Sequence, residues 1–141
     1  MTPYRYFENK EEIFKAVRAA AADRFADALE ARTAGLRDHG KKLRALTEAY
    51  VDFALEEPHA YRIIFELDQG ERAPTTSHEL RSWRVMFAAV ESAIEARYLR
   101  GEPLVVAHLL WSSVHGLVAL HLAGKLGLGR TLEDLVEALI E

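Results

Sequence analysis

The sequence predicts an all-α helical bundle. No segment of its 141 residues alternates apolar and polar side chains as a half-buried strand does, and apolar residues return instead at steps of three and four. Prolines at Pro3, Pro58, Pro74 and Pro103 and glycines such as Gly35, Gly70, Gly101 and Gly127 cut the chain into long stretches of this kind. Half of the residues are apolar and 28% are charged, the composition of one ordinary folded domain. At this length roughly two-thirds of the unfolded surface can be withdrawn from water, so a core needs no metal or disulfide to support it.

The elements follow in order. Asn9 reads as an N-cap, with Glu12 completing a capping-box-like start, and Phe14, Val17, Ala21, Phe25 and Ala28 make one apolar face until Gly35 stops the helix. A second helix is expected from Lys41 to Glu57, with Leu43, Leu46, Tyr50, Phe53 and Ala54 on one side. Pro58 suits the first turn of a short helix over His59–Leu67, and Asp68–Thr76 reads as a mobile loop. Ser77 is expected to cap a fourth helix whose seam, Leu80, Trp83, Phe87, Val90, Ile94 and Arg97-Tyr98, alternates three- and four-residue steps. Pro103 opens a fifth helix that is apolar all round, and Thr131 caps a last one carrying Glu133 and Asp134 in its first turn.

The fifth helix decides the expected assembly. Leu104–Leu126 is long enough to cross a membrane, but it carries His108, Ser112, Ser113, His115, His121 and Lys125, each costly in hydrocarbon. No membrane is therefore expected, and the helix must be covered by protein instead. Its own chain can cover one side, which leaves the other for a second copy. A homodimer is expected through Leu109, Gly116, Ala119, Leu120 and Ala123 of this helix and Leu132, Leu135, Val136 and Leu139 of the last.

The chemistry-bearing residues exclude more than they assign. There is no cysteine, so thiolate metal sites and cysteine nucleophiles are ruled out. His108 and His115 stand seven apart with Ser112 between them, wider than the three- or four-residue step of a metal pair on a helix, so neither a metal nor another cofactor is expected. No Gly-x-Ser-x-Gly, phosphate-cradling glycine loop or His-Glu-x-x-His is present, and no enzyme is expected. With 18 Lys and Arg against 22 Asp and Glu, the formal charge of −4 gives no global attraction to nucleic acid, so any DNA contact is local.

The opening stretch Thr2-Pro3-Tyr4-Arg5-Tyr6-Phe7-Glu8-Asn9-Lys10 sets three aromatics ahead of a helical segment. With Ile13, the set Tyr4, Tyr6, Phe7 and Lys10 resembles the end of the helix-turn-helix in the TetR/AcrR family of bacterial transcriptional repressors, and Trp111, His115 and Gly116 resemble a Trp/His/Gly pattern of one subgroup of their C-terminal domains. The resemblance implies that residues 1–8 end a DNA-binding domain whose other helices lie upstream, and that residues 9–141 form a ligand-binding and dimerisation domain of a cytoplasmic protein. It implies operator DNA as a partner of the full-length protein, with Tyr4, Arg5, Tyr6 and Lys10 on phosphates; the alternative is that the tyrosines pack and Lys10 is solvated. It also implies a small apolar or aromatic effector that releases the DNA. The aromatics Tyr50, Phe53, Tyr61, Phe65, Trp83, Phe87 and Trp111, with Ser112 and His115 as polar handles, either line its cavity or fill a solid core. A helical dimer that binds a small molecule, or is purely structural, without DNA function is the competing reading; an enzyme is a distant third.

Overall fold

The structure, a computed structural model, describes residues 3–65 and 77–140, with side chains from residue 10 onward except at position 79. Among these residues there are six helices and no strand: α1 Pro3–Thr33, α2 His39–Glu56, α3 Pro58–Phe65, α4 Ser77–Glu95, α5 Pro103–Leu122 and α6 Leu132–Ile140. The expected Asp68–Thr76 loop, and residues 66–67 of the expected third helix, lie outside the described residues.

Local chemistry sets most of the boundaries. The Asp38 carboxylate accepts from the Lys41 amide at 2.8 Å and caps α2. Glu102 caps α5 by accepting from the amides of Leu104 and Val105, with Pro103 behind it in the first turn. Thr131 and Asp134 cap α6 reciprocally, the Asp134 amide donating to the Thr131 hydroxyl at 3.2 Å and the Thr131 amide to the Asp134 carboxylate at 3.3 Å.

Two expectations are corrected. Asn9 caps nothing: α1 runs through it from Pro3 to Thr33, a single helix of 31 residues. Between Tyr4 and Thr33 there is no proline or glycine, and extending an existing helix costs far less than starting a new one. The expected boundary between residues 8 and 9 thus falls inside α1. Arg97-Tyr98 do not extend α4, because Arg97 takes a left-handed conformation at φ 60 just past Glu95, and the Tyr98 amide turns back to the Ala93 carbonyl at 2.8 Å.

The core lies where α1, α2 and α4 meet over α3. Phe25, Leu29, Leu46, Tyr50, Phe53, Ala54, Tyr61 and Ile64 are buried there, and on α4 the buried face is Met86, Ala89, Val90 and Ala93. Ion pairs fasten the edges: Arg81 of α4 reaches Asp27 and Glu30 of α1 at 2.6 Å each, Arg32 of α1 reaches Asp52 of α2 at 2.9 Å, and Arg44 of α2 grips both Glu137 oxygens of α6 at 3.2 Å. All are exposed, so they orient the helices more than they stabilise them.

α5 buries only Ala107, Val114 and Val118. Leu104, Val105, Leu109 and Leu120 stay exposed, Leu109 at 64%, and no atom approaches the Cα hydrogen face of Gly116. Length and composition would let α5 cross a membrane, and only 17% of its apolar window is buried by its own chain. Of the residues expected at a dimer interface, Leu132 belongs to the chain's own core at 3% exposure, with Val136 and Leu139 packed against it.

The turn into α5 depends on Gly101, whose φ of 125 is closed to residues with a Cβ and whose added Cβ would meet Val106 Cγ2 at 2.8 Å. Gly101→Ala is expected to cost about 1–2 kcal/mol, read as a lower urea midpoint at unchanged slope.

Candidate binding cavity

A cavity of about 390 Å³ opens between five helices. α1 contributes Arg18, Phe25 and Leu29, one stripe at steps of seven and four; α2 contributes Leu46 and Tyr50, and α3 contributes Ile64 and Phe65. α4 supplies Leu80, Ser82, Trp83 and Met86, and α5 supplies His108 and Trp111. The wall is thus largely aromatic and aliphatic with a few polar groups, in the size range that encloses a small organic molecule.

The rings pack around this space without filling it. The Trp83 and Trp111 centroids are 5.9 Å apart with planes at 57°, and Phe65 lies 6.4 Å from Trp111. His108 sits 4.7 Å from Trp83, and its Nδ1 is 2.6 Å from the Leu104 carbonyl. A carbonyl only accepts, so Nδ1 carries a hydrogen.

Of the nine residues expected to bind a ligand, the structure brings four to the cavity: Tyr50, Phe65, Trp83 and Trp111. The other five stand elsewhere. Phe53 is buried behind Phe25, ring to ring at 5.0 Å. Phe87 stacks at 5.9 Å on Trp83 outside the lining, and Ser112 is exposed on α5. Tyr61 is fully buried with its hydroxyl 2.8 Å from that of Tyr50 and in hydrogen-bond contact with His115 Nδ1, so both act one step behind the wall. Sequence reasoning placed Phe25, Leu46 and Leu80 on apolar faces without distinguishing lining from core. It missed Arg18, although an arginine seven residues before Phe25 interrupts the apolar stripe of α1 and is a legible signal.

At the other end of α1, the backbone of Tyr4, Arg5 and Tyr6 lies in its first two turns and their side chains are outside the described residues; Lys10 is exposed. His108 and His115 are engaged as hydrogen-bonding groups, and among the described residues no three metal-binding side chains converge.

Among the described residues the domain is all-helical, with a cavity at the helix junction. The chain belongs to the tetracyclin repressor-like, C-terminal domain family, whose pattern matches residues 43–141, and is a transcription regulator of the TetR family. α1, which forms one wall of the cavity, precedes the matched region. A solved structure described as a candidate regulatory protein, SCO4313, is 30% identical, covering 97% of this chain and 74% of its own at a TM-score of 0.75. The structure of a protein of unknown function from Rhodococcus sp. RHA1 shares the fold at 20% identity, over 92% of this chain and 69% of its own, with a TM-score of 0.79. None of the curated proteins matches the chain.

The Tyr50 hydroxyl has a consequence for pH. Burial pushes its pKa up to about 12, against smaller opposing effects of hydrogen bonds with Tyr61 and Trp111. Between pH 10 and 12 the unfolded chain has lost this proton while the folded chain keeps it, so stability is complete below pH 10 and falls as pH rises through the window. The fall attributable to Tyr50 is expected to be roughly 2–3 kcal/mol. Urea unfolding at stepped pH should show this extra alkaline slope in the wild type and not in Tyr50→Phe.

Proposed function

We propose that the chain is the effector-binding and dimerising part of a cytoplasmic TetR-type repressor, in which a small apolar or aromatic molecule enters the cavity and releases operator DNA. The observation that carries this reading is the cavity itself: about 390 Å³ bounded by Phe25, Tyr50, Phe65, Trp83 and Trp111 at the junction of α1 with the other helices. A ligand shifts the DNA-bound and released forms only through unequal affinity for them. Residues on α1 give that inequality a route, because Arg18, Phe25 and Leu29 touch the cavity and the same unbroken helix carries Tyr4, Arg5, Tyr6 and Lys10 at its start. These four are assigned to phosphate contacts that orient the protein on DNA, and no residue is assigned to catalysis.

The second half of the proposal is a homodimer formed by the outer face of α5 together with α6. Exposed Leu109 and Leu120, the partly buried Gly116 and Ala119 beside them, and Leu135 at the edge of α6 support it. Two such helices from each copy would make a four-helix interface around a two-fold axis, and two DNA-reading units related by that axis match a palindromic site.

Sedimentation velocity at micromolar concentration is expected to give a dimer, and Ala119→Glu to shift it to monomer; a wild-type monomer would overturn the interface. For the switch, compounds that quench tryptophan fluorescence are expected to weaken operator binding by the protein carrying its complete helix-turn-helix, by about 5- to 150-fold. Compounds that quench the tryptophans and raise the melting temperature while leaving operator affinity unchanged would refute it.

A further inference from the structure

The cavity wall carries few polar groups, and most of them are already engaged. Arg18 and Ser82 each have a partner within the chain, and His108 donates its Nδ1 hydrogen to the Leu104 carbonyl. Tyr50 is different, because its partners fix where its proton goes. Buried in the wall, its hydroxyl meets the Tyr61 hydroxyl at 2.8 Å and the Trp111 side chain, whose indole N–H can only donate. Among the described residues the Tyr61 oxygen is therefore the acceptor for the Tyr50 proton, and a buried hydroxyl without one would be left unsatisfied at a cost. Tyr50 thus donates to Tyr61, accepts from Trp111 and keeps one lone pair. Tyr61 extends the chain to His115 Nδ1, and hydrogen bonds in a chain polarise one another, which makes the Tyr50 oxygen a better acceptor.

Tyr50 and Trp111 both line the cavity. We propose that the cavity selects a neutral aromatic ligand that presents one N–H or O–H donor to the Tyr50 oxygen, its rings lying among Phe25, Phe65 and Trp83. The inference rests on the reading of the cavity as a ligand site and adds the chemical class of the ligand. The wiring discriminates among ligands of one shape. A donor meets the remaining Tyr50 lone pair. A carbonyl in the same place finds the Tyr50 and Trp111 protons committed, so its lost hydration goes uncompensated. A hydrocarbon keeps the ring contacts alone. An ionic head is disfavoured, because among the described lining residues the one fixed charge is that of Arg18, which already has its partner. Tyr61, fully buried behind the wall, is then a positioning residue: it decides what Tyr50 offers. Phenylalanine in its place removes the acceptor and returns the Tyr50 proton to the cavity.

The probes are carbazole, fluorene and fluorenone, tricyclic molecules of one shape with N–H, methylene and C=O at the same position, measured by equilibrium dialysis against the 141-residue chain. A body of this size is within what a cavity of about 390 Å³ encloses. Carbazole is expected to bind about three- to tenfold more tightly than fluorene, and fluorenone no more tightly than fluorene. Tyr50→Phe is expected to bring carbazole to the level of fluorene. Tyr61→Phe is expected to raise fluorenone about three- to tenfold above fluorene, since Tyr50 then has a proton to give. Trp83 keeps its own indole N–H in both variants, so the change of preference reports on Tyr50. Retained fluorene binding shows that the variants are folded. Equal binding of carbazole and fluorene, a carbazole preference that survives Tyr50→Phe, or fluorenone no tighter than fluorene in Tyr61→Phe would overturn the donor assignment and leave the cavity reading standing. Binding of none of the three to the wild type would overturn both.

Discussion

Phe25 is the contact on which the other arrangements depend. Its ring lies 5.0 Å from Tyr50 edge-on, 5.0 Å from Phe53 and 5.8 Å from Phe65, so one side chain of α1 is held by α2 and α3 together. Aromatic rings bury large areas and prefer such edge contacts, which makes this cluster the most costly part of the core to disturb. The same ring also faces the cavity. Core and cavity wall therefore share atoms, and the contact that fixes α1 against its neighbours is itself part of the wall. Arg81, gripping Asp27 and Glu30 two and five residues beyond Phe25, closes α4 over the same part of α1, and its hydrogen bonds to Glu30 and Asp27, with their charges, hold its pKa above the ordinary arginine value.

α5 follows from the opposite constraint, an excess of apolar surface over what the chain can cover. Ala107, Val114 and Val118 recur at steps of seven and four as its fully buried stripe, with Trp111, Leu117 and Leu122 half-buried against the core. α6 adds Leu132 to the core and is tied back to α2 by Arg44. Exposed leucines and valines along a rigid helix favour a partner, and glycine and alanine among them permit close approach. The polar wire from Tyr50 through Tyr61 to His115 runs from the cavity side of the core to α5, one residue before Gly116.

The parts of this fold written in local chemistry were legible. Pro58, Pro103 and the Thr131–Asp134 pair each mark a helix start that packing has no reason to override. Asn9 misled because a capping residue works only where the preceding chain leaves the helix, and nothing in Tyr4–Glu8 makes it do so. Arg97 hid its role because a non-glycine residue in the left-handed region gives no sequence signal. For the cavity, helical spacing tells which face of a helix turns inward but not how deeply the opposite face reaches. That depth separates Trp83 and Tyr50, which meet empty space, from Phe53 and Tyr61, which meet other side chains. Arg18 was readable as an interruption of an apolar stripe, a sign that the stripe ends at something other than solid core.

The length of α1 has a mechanical meaning. Its C-terminal end is anchored, with Thr33 buried, its hydroxyl donating to the Leu29 carbonyl at 2.8 Å, and Gly35 turning the chain just beyond. From that anchor the helix rises about 12 Å to Phe25 and about 45 Å to Pro3. With no proline or glycine between Tyr4 and Thr33 to absorb bending, the rod turns as one body. A sideways displacement of 1 Å at Phe25 then becomes nearly 4 Å at the other end, a mechanical gain set by where along the rod the phenylalanine sits.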